Sequence, residues 1–193
     1  TGQDLPSYLE GLLYADYLSY WEYIHLDTLL TLQTPKTDFP DENIFIIYHQ
    51  ITELYFKLII NELNQITNNG RNIQKNGEDL GWNKTLTFKF FKARMSRIVR
   101  YFDNLINSFD IMIKGMDRGE FTKFRMSLLP GSGFQSVQFR SIEIYSTPIE
   151  NLLIKKKGGG YKKKNNLQKI YWNNGATELG SGKKTYTLIQ FQK

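Results

Sequence analysis

The spacing of apolar positions predicts a series of helices over the first 150 residues. Between residues 84 and 114, apolar side chains recur every three or four positions, which is the repeat of one helix face. A second helix is expected from Asp41 to about Asn68, because acidic residues follow Pro40 and suit a helix start. Apolar residues cover most of its circumference, which is typical of a buried helix. One or two helices with a break are expected over residues 7–33, and shorter ones over 119–128 and 134–145.

Turn-forming residues separate these predicted helices. Two prolines interrupt any helix between residues 34 and 40, and Gly115 is expected to end the helix that begins near residue 84. Residues 68–72 are rich in Asn and Gly, which predicts a turn. No alternating strand pattern is evident before residue 150. We therefore predict an all-α body built as a helical bundle.

Charge is distributed unevenly along the chain, and basic residues are concentrated at the C-terminal end. The chain has 193 residues and a net charge of +6. Residues 154–193 contain ten lysines and one acid, Glu178, a net charge of +9, so residues 1–153 sum to −3. The Lys- and Gly-rich run is expected to be disordered, since like charges repel and glycine adds backbone entropy. We predict a helical domain over residues 1–153, a flexible basic linker over 154–170 and a partial segment of the same domain over 171–193.

Composition excludes several classes of protein. The absence of cysteine excludes disulfides, thiolate metal sites and cysteine nucleophiles, and fits a cytoplasmic protein. No apolar run reaches the roughly 18 residues of a membrane span, and the polar first residues do not resemble a signal peptide. No hydrolase triad, P-loop, dinucleotide fingerprint or HExxH motif is present. Two histidines without cysteine do not make an ordinary zinc site unless carboxylates contribute, so no metal ligands are predicted.

His49 is the first candidate for chemistry, because it interrupts a strongly apolar helical run. Phe45 precedes it by four residues, so both side chains share one helix face, and Glu53 continues that side. In one interpretation His49 is a packed core residue that bonds Glu53. In the other it is the polar group of an apolar ligand pocket, which the 13 Phe and 12 Tyr of the chain could build.

Arg125 is the second candidate, because it lies among apolar residues. Phe124 and Met126 flank it, and Phe121 precedes it by one turn. A buried arginine needs a partner, and a carboxylate bound through two hydrogen bonds would suit it, although its head could instead reach solvent. The Gly-Ser-Gly sequence around Ser132 precedes the next predicted helix, where free N–H groups can hold a polar ligand group or simply form a tight turn.

Several segments, taken together in their order and spacing, point to one family. They are Tyr20-Trp-Glu-Tyr-Ile-His-Leu-Asp-Thr-Leu-Leu30, Gln33-Thr-Pro35, Asp41-Glu42, Phe45-Ile-Ile-Tyr-His-Gln50, Glu53-Leu54, Lys57, Glu62-Leu63, Phe124-Arg125 and Ser132-Gly-Phe-Gln-Ser136. In this arrangement they resemble the tryptophan 2,3-dioxygenases over about residues 17–150. Residues 171–193 also resemble the middle segment of some bacterial members.

The resemblance implies an all-α, homotetrameric enzyme that uses haem b. It would insert both atoms of O₂ across the indole C2–C3 bond of L-tryptophan and give N-formylkynurenine. Phe45 and His49 would line the distal haem pocket, with His49 meeting the indole N–H as the catalytic residue. Arg125 would bind the tryptophan carboxylate, and Ser132 would lie near haem and substrate. Three residues would complete the pocket of a neighbouring subunit: Tyr20, Tyr23 and Ile24.

The sequence departs from the family pattern at three points. Phe121 stands where the family usually has a tyrosine, so one hydroxyl contact to the substrate carboxylate is missing. No histidine follows His49, although the family's proximal haem ligand is a histidine in the C-terminal part, and His25 lies in the segment that resembles the inter-subunit motif. The family's later Gly-Thr-Gly loop has no counterpart. We expect that the chain stops before the haem-ligating part; a natural short form is the alternative.

Two non-enzymatic alternatives remain open from the sequence. One is a helical paralogue or fragment that acts as an assembly module and binds no haem. The other adds a basic tail over residues 154–193 that binds nucleic acid or another anion, with aromatic residues available for stacking: Tyr161, Tyr171 and Trp172. We expect a solvated linker there, and neither a nucleic-acid partner nor a membrane.

Overall fold

The computed structural model describes residues 4–14, 20–68, 71–82, 86–128 and 135–152, together with Lys183 and Ile189. The chain divides into two compact units, Thr1–Lys36 and Thr37–Lys193. The predicted linker over 154–170 and nearly all of the segment 171–193 lie outside the described residues, so those two boundaries stay predictions. In the described part of the chain, no helix has the length and apolar character needed to cross a membrane.

The described part of the first unit contains three short helices, more than the one or two predicted over residues 7–33. These helices are α1 (Leu5–Tyr14), α2 (Tyr20–Tyr23) and α3 (Leu26–Leu29). Asp4 caps α1, because the Ser7 N–H donates to Asp4 Oδ1 at 2.8 Å, and this bond lowers the pKa of Asp4. His25 separates α2 from α3 in the left-handed conformation, with φ 50°.

The second unit is arranged around α4 (Asp41–Asn68), whose bounds match the predicted ones. Two long neighbours pack along α4 and two short helices contact it: α5 (Phe88–Ser108), α6 (Asp110–Lys114), α7 (Arg118–Phe124) and α8 (Val137–Ser146). Single 3₁₀ turns follow at Arg125–Leu128 and Ile149–Leu152. The all-α prediction is therefore confirmed for the body of the chain.

One isoleucine from each of the three longest helices of this unit forms its core. Ile59 of α4, Ile98 of α5 and Ile142 of α8 are buried against one another. Partly buried apolar residues surround them: Phe56, Ile60, Leu63, Ile66, Met95, Tyr101, Phe102 and Leu105. The spacing of these residues by three and four is what allows each helix to present one continuous apolar face.

The prediction of a single helix over residues 84–114 is wrong at its start and in its continuity, because the structure has two helices there. Thr87 caps α5 by accepting the Phe90 N–H at 3.4 Å, so the helix begins at Phe88. It ends at Ser108, whose hydroxyl donates to the Leu105 carbonyl at 3.0 Å, a bond that competes with regular helix geometry. After a turn at Phe109, α6 runs to Lys114 and ends at Gly115, as predicted.

A β-hairpin occupies part of the region in which no strand was expected. β1 (Arg71–Ile73) pairs antiparallel with β2 (Asp79–Trp82). Gly77 has φ 86° in the connecting turn, a conformation that glycine adopts at little cost. An ion pair joins Arg71 to Asp79, and its hydrogen bond lowers the pKa of Asp79. Strands of three and four residues are too short to show the alternation by which sequence predicts them.

The expectation that α4 is a buried helix is wrong for one of its faces. An apolar stripe along it is exposed: Ile47, Ile51, Leu54 and Leu58. These residues are spaced by four, three and four, so they lie on one face of the helix. The helices α5, α6, α7 and α8 contact other parts of α4, and this apolar face is exposed.

Candidate active site

The first element of the site is the face of α4 that carries Phe45 and His49. Their ring centroids lie 4.1 Å apart with an angle of 33° between the ring planes. The separation of four residues along the helix produces this contact directly. Phe45 is half-buried and His49 is exposed, so the structure does not bury His49 as a core residue.

The hydrogen bond of His49 determines which ring nitrogen is left for a ligand. Nδ1 lies 2.7 Å from the carbonyl oxygen of Phe45. Because a carbonyl oxygen can only accept, Nδ1 must carry the proton, and Nε2 of the neutral ring is then an acceptor. The predicted alternative, a bond from His49 to Glu53, is not formed. The Glu53 carboxylate instead accepts from Gln138 Nε2 at 2.8 Å.

Two phenylalanines of α7 extend this face into an aromatic wall, defined here as Phe45, His49, Phe121 and Phe124. The Phe45 centroid lies 6.3 Å from that of Phe121 and 6.0 Å from that of Phe124. Phe121 and Phe124 meet edge to face at 5.4 Å. Phe124 is completely buried and anchors the arrangement. Such ring pairs prefer these tilted geometries because the positive edge of one ring meets the negative face of another.

Hydrogen bonds between the first turns of α4 and α7 hold the two sides of the wall together. The Asp117 N–H donates to Asp41 Oδ2 at 2.5 Å, and the Asp41 N–H donates to Glu120 Oε2 at 3.4 Å. Next to Asp41, the buried Glu42 carboxylate accepts the Thr37 N–H at 2.8 Å. Since Phe45 lies one turn beyond Asp41, these bonds position its ring relative to α7.

Arg125 follows the wall directly at the end of α7. Its backbone N–H donates to the Phe121 carbonyl, and its side chain is exposed. Among the described residues, no carboxylate pairs with its guanidinium. Of the two sequence interpretations, the structure therefore has the exposed head rather than a partner within the described protein. An exposed guanidinium is suited to the carboxylate of a ligand.

The Gly-Ser-Gly loop that contains Ser132 lies outside the described residues, so the expected position of Ser132 stays a prediction. The helix after this loop begins at Val137, slightly later than expected. Ser136 caps it by accepting the Phe139 N–H at 3.2 Å. This cap fixes the start of α8, and Gln138 faces Glu53 from its first turn.

The three residues expected to reach a neighbouring subunit lie in the first unit. Tyr20 and Tyr23 are each 74 % exposed, and Ile24 is half-buried. Within that unit, an open cavity of about 520 Å³ is lined by Trp21, Glu22, Tyr23, His25 and Asp27. The predicted role of these residues across a subunit interface stays a prediction.

Three rings of the wall, Phe45, His49 and Phe121, could contact a flat, apolar macrocycle such as haem, while the fully buried Phe124 supports them. In the described part of the chain, no group of three or more His, Cys, Asp or Glu residues is arranged to hold a metal ion. His25 is the one other histidine of the sequence, and it belongs to the first unit. The residues present therefore fit the distal face of a haem, while no axial histidine is identified in the chain.

Comparison with known proteins decides which family carries this wall. A family model described as tryptophan 2,3-dioxygenase matches residues 12–179. The chain belongs to this family. The match of a tryptophan 2,3-dioxygenase model covers the described parts of the second unit up to Leu152, and therefore all four residues of the aromatic wall.

Individual tryptophan 2,3-dioxygenases show the same similarity. The protein from Ruegeria sp. strain TM1040 is 39 % identical over 130 residues, which cover 67 % of this chain and 42 % of the relative. That from Bacillus thuringiensis strain Al Hakam is 36 % identical over 138 residues, 70 % of this chain and 44 % of the relative. That from Bradyrhizobium diazoefficiens is 40 % identical over 126 residues, 65 % and 40 %. The chain thus spans less than half the length of these curated relatives.

Sequence reasoning missed two features of this dioxygenase-family site. The sequence places Phe124 beside Arg125 but does not predict that Phe124 is the fully buried anchor of the wall. The bond between Gln138 and Glu53 was not anticipated, because it joins residues 85 positions apart. The one available signal was that Gln138 and Glu53 are polar residues on helices with strongly apolar faces.

Proposed function

We propose that the protein is a haem-dependent tryptophan 2,3-dioxygenase, which inserts both atoms of O₂ across the indole C2–C3 bond of L-tryptophan and releases N-formylkynurenine. The observation that carries this proposal is the aromatic wall, which has an acceptor nitrogen on His49 and is followed directly in the chain by the exposed Arg125. Membership of the family supports the same activity.

His49 is proposed to orient the indole ring. Its Nε2 is the acceptor nitrogen of the neutral ring, so it can take a hydrogen bond from the indole N–H, the single donor of that ring system. The neighbouring rings of Phe45 and Phe121 would contact the indole and keep water away from it. His49 thereby selects for an indole N–H, and the phenylalanines select for a flat apolar ring.

Arg125 is proposed to bind the tryptophan carboxylate. Its planar guanidinium can donate two parallel hydrogen bonds to a carboxylate, a geometry that lysine does not reproduce. Since Phe121 has no hydroxyl, it offers the carboxylate no further donor from this wall. We therefore propose that Arg125 provides most of the recognition of this group.

The cofactor is proposed to be haem b, held with its distal face against Phe45, His49 and Ser132. Ferrous haem, when bound, supplies the oxygen chemistry, while the protein orients the substrate and excludes water. His49 then needs only to hold the indole in place. We expect its replacement by alanine to reduce turnover without abolishing it.

Assembly completes the proposal. We propose a homotetramer in the cytoplasm, in which Tyr20, Tyr23 and Ile24 of one subunit complete the pocket of a neighbour. The high exposure of both tyrosines in a single chain is compatible with such a contact. Activity and oligomerisation would then be linked.

Replacement of Arg125 by alanine tests the substrate assignment in the complete, haem-loaded protein. We expect the KM for tryptophan to rise roughly ten- to hundredfold, the cost of losing a hydrogen-bonded charge pair of about 1.5–3 kcal/mol. Steady-state kinetics measure this directly. Arg118→Ala, at an exposed position at the start of α7, is the matched control and should leave KM unchanged.

A second substrate separates carboxylate binding from general damage. Tryptamine lacks the carboxylate, so any turnover of it should be affected equally little by Arg125→Ala and Arg118→Ala. An Arg125→Ala variant with the wild-type KM for tryptophan would remove Arg125 from the carboxylate site. Absence of tryptophan turnover in the complete wild-type protein would overturn the proposed function itself.

A further inference from the structure

Gln138 makes an unusual double contact across two helices. It lies in the first turn of α8, and its Nε2 is 2.8 Å from the backbone carbonyl of Glu53 and 2.8 Å from the Glu53 carboxylate oxygen Oε2. An amide nitrogen has two N–H donors, so one can serve each acceptor. Both side chains are half-buried, where a hydrogen bond between them is less exposed to competition from water.

Glu53 matters because of its distance from His49. It follows His49 by four residues on α4, so the carboxylate and the imidazole are neighbours on the helix surface. A carboxylate at this separation is a strong acceptor for an imidazole N–H. If it accepted from Nε2, the proton would reside there, and Nε2 could no longer accept a bond from a ligand.

The structure shows the opposite arrangement. His49 donates from Nδ1 to the Phe45 carbonyl at 2.7 Å, and the Glu53 carboxylate is bound by Gln138. The carboxylate is thus engaged on the side of α8, and the outward nitrogen of His49 keeps its lone pair. Two separate hydrogen bonds, one from His49 Nδ1 to Phe45 and one from Gln138 to Glu53, together leave Nε2 of His49 as the acceptor.

We propose that Gln138 is a positioning residue that holds the Glu53 carboxylate against α8 and thereby keeps His49 in the form whose Nε2 accepts. Its effect on catalysis rests on the proposed function, because it prepares His49 for the indole N–H. Its effect on the imidazole does not, since the tautomer is a property of the protein without substrate. Gln138 touches neither substrate nor cofactor in this role.

Other charged groups on the elements that pack here do not replace Glu53. They are Lys57 on α4, Glu120, Lys123 and Arg125 at α7, and Arg140 and Glu143 on α8. Arg140 and Glu143 pair with each other at 2.8 Å, and Glu120 accepts the Asp41 N–H at 3.4 Å. Glu53 is therefore the acid placed one helical turn from His49.

Nitrogen-15 NMR of the imidazole rings tests the proposal directly. The chain has two histidines, so the spectra contain two ring systems, and His25→Asn assigns them while tolerating the left-handed backbone at that position. The wild-type His49, with its ring neutral, should show a protonated Nδ1 and an unprotonated Nε2.

Gln138→Met removes both donors while keeping a side chain of similar length. We expect the released Glu53 carboxylate to accept from Nε2, so that the unprotonated Nε2 signal of His49 is lost. The double variant Gln138→Met with Glu53→Ala should restore the wild-type pattern, because no carboxylate remains to compete. Gln65→Met is the matched control, since the Gln65 amide donates within α4 to the Asn61 carbonyl, and it should change nothing.

The outcomes separate this inference from the proposed function. An unchanged His49 spectrum in Gln138→Met would overturn the positioning role. So would a double variant whose His49 spectrum does not return to the wild-type pattern. If Gln138→Met does not fold, Gln138→Asn, one methylene shorter, takes its place. In the complete haem-loaded protein, Gln138→Met should raise the KM for tryptophan about fivefold, the worth of one hydrogen bond of about 1 kcal/mol, and Gln138→Met with Glu53→Ala should recover it. If the spectra are as expected but the wild-type protein does not turn over tryptophan, only the proposed function is rejected.

Discussion

At the scale of single residues, Phe121 differs from the residue that the family resemblance predicts by one oxygen atom. Its ring is half-buried and pairs with the rings of Phe45 and Phe124 in the wall. Phe121→Tyr in the complete protein should lower the KM for tryptophan about fivefold, the gain of one hydrogen bond of about 1 kcal/mol to the carboxylate. Steady-state kinetics give the comparison.

The added hydroxyl should act on the carboxylate alone. Any turnover of tryptamine should therefore be unaffected by Phe121→Tyr, which makes it the internal control for the same variant. A KM for tryptophan that stays constant or rises would show that the Phe121 ring does not point its edge toward the substrate carboxylate.

The contact between Phe45 and His49 could be predicted from sequence, because helix geometry alone places residues four apart on one face. The tautomer of His49 could not be predicted in this way. It depends on the carbonyl of Phe45 and on Gln138, and the latter reaches this part of α4 only after α8 has packed. Ser132, in the loop before α8, was predicted by resemblance and stays a prediction.

At the scale of elements, a buried carboxylate joins α4 to α5. Glu62 is 2 % exposed and pairs with Arg94 and Arg97, each at 3.2 Å. Glu62→Gln should lower the free energy of unfolding by about 3 kcal/mol, because it leaves the guanidinium of Arg94 without its counter-charge in a mostly buried position. Urea denaturation followed by circular dichroism measures the change.

The two arginines should contribute unequally to this network. The Arg97 side chain is 50 % exposed, against 20 % for Arg94, so water screens its pairing with Glu62. Arg97→Ala should therefore cost less than about 1 kcal/mol, and the exposed Glu78→Gln should cost nothing measurable. Equal losses for Glu62→Gln and Glu78→Gln would rule out a structural role for the ion pairs.

Element bounds were predictable where local signals are strong. Pro40 and the two acids after it mark the start of α4, and the predicted bounds are confirmed. The hairpin over residues 71–82 and the break of the helix at Phe109 were not predicted. The hairpin depends on a glycine turn and an ion pair rather than on an alternating pattern. The break coincides with the Ser108 hydroxyl, which bonds its own helix and lies 3.5 Å from Tyr48.

At the scale of the whole molecule, the proposed exchange of residues between subunits has a specific consequence. Arg125→Ala damages the pocket of its own subunit, whereas Tyr23→Ala would damage the pocket of a neighbour. Co-assembly of the two variants in the complete protein should therefore create some intact pockets. We expect tryptophan turnover in the mixture to exceed that of either variant alone, measured after co-expression and separation by two affinity tags.

A control defines the limit of this effect. Co-assembly of Arg125→Ala with His49→Ala, two residues proposed to serve the pocket of their own subunit, should create no intact pocket and no gain in turnover. If the Tyr23 mixture also shows no gain while tetramers form, Tyr23 acts within its own subunit and the proposed exchange is wrong.

The sequence by itself determined the all-α body, the bounds of its longest helix, the pairing of Phe45 with His49 and the family resemblance, because each depends on local spacing or on short motifs. Only the tertiary structure decided which charges are paired, that α4 has an exposed apolar face, and which nitrogen of His49 can accept. The first two features arise where residues distant in sequence meet, and the third combines a local bond to the Phe45 carbonyl with the contact between Gln138 and Glu53. The bond between Gln138 and Glu53 joins residues 85 positions apart, so no local sequence pattern predicts it.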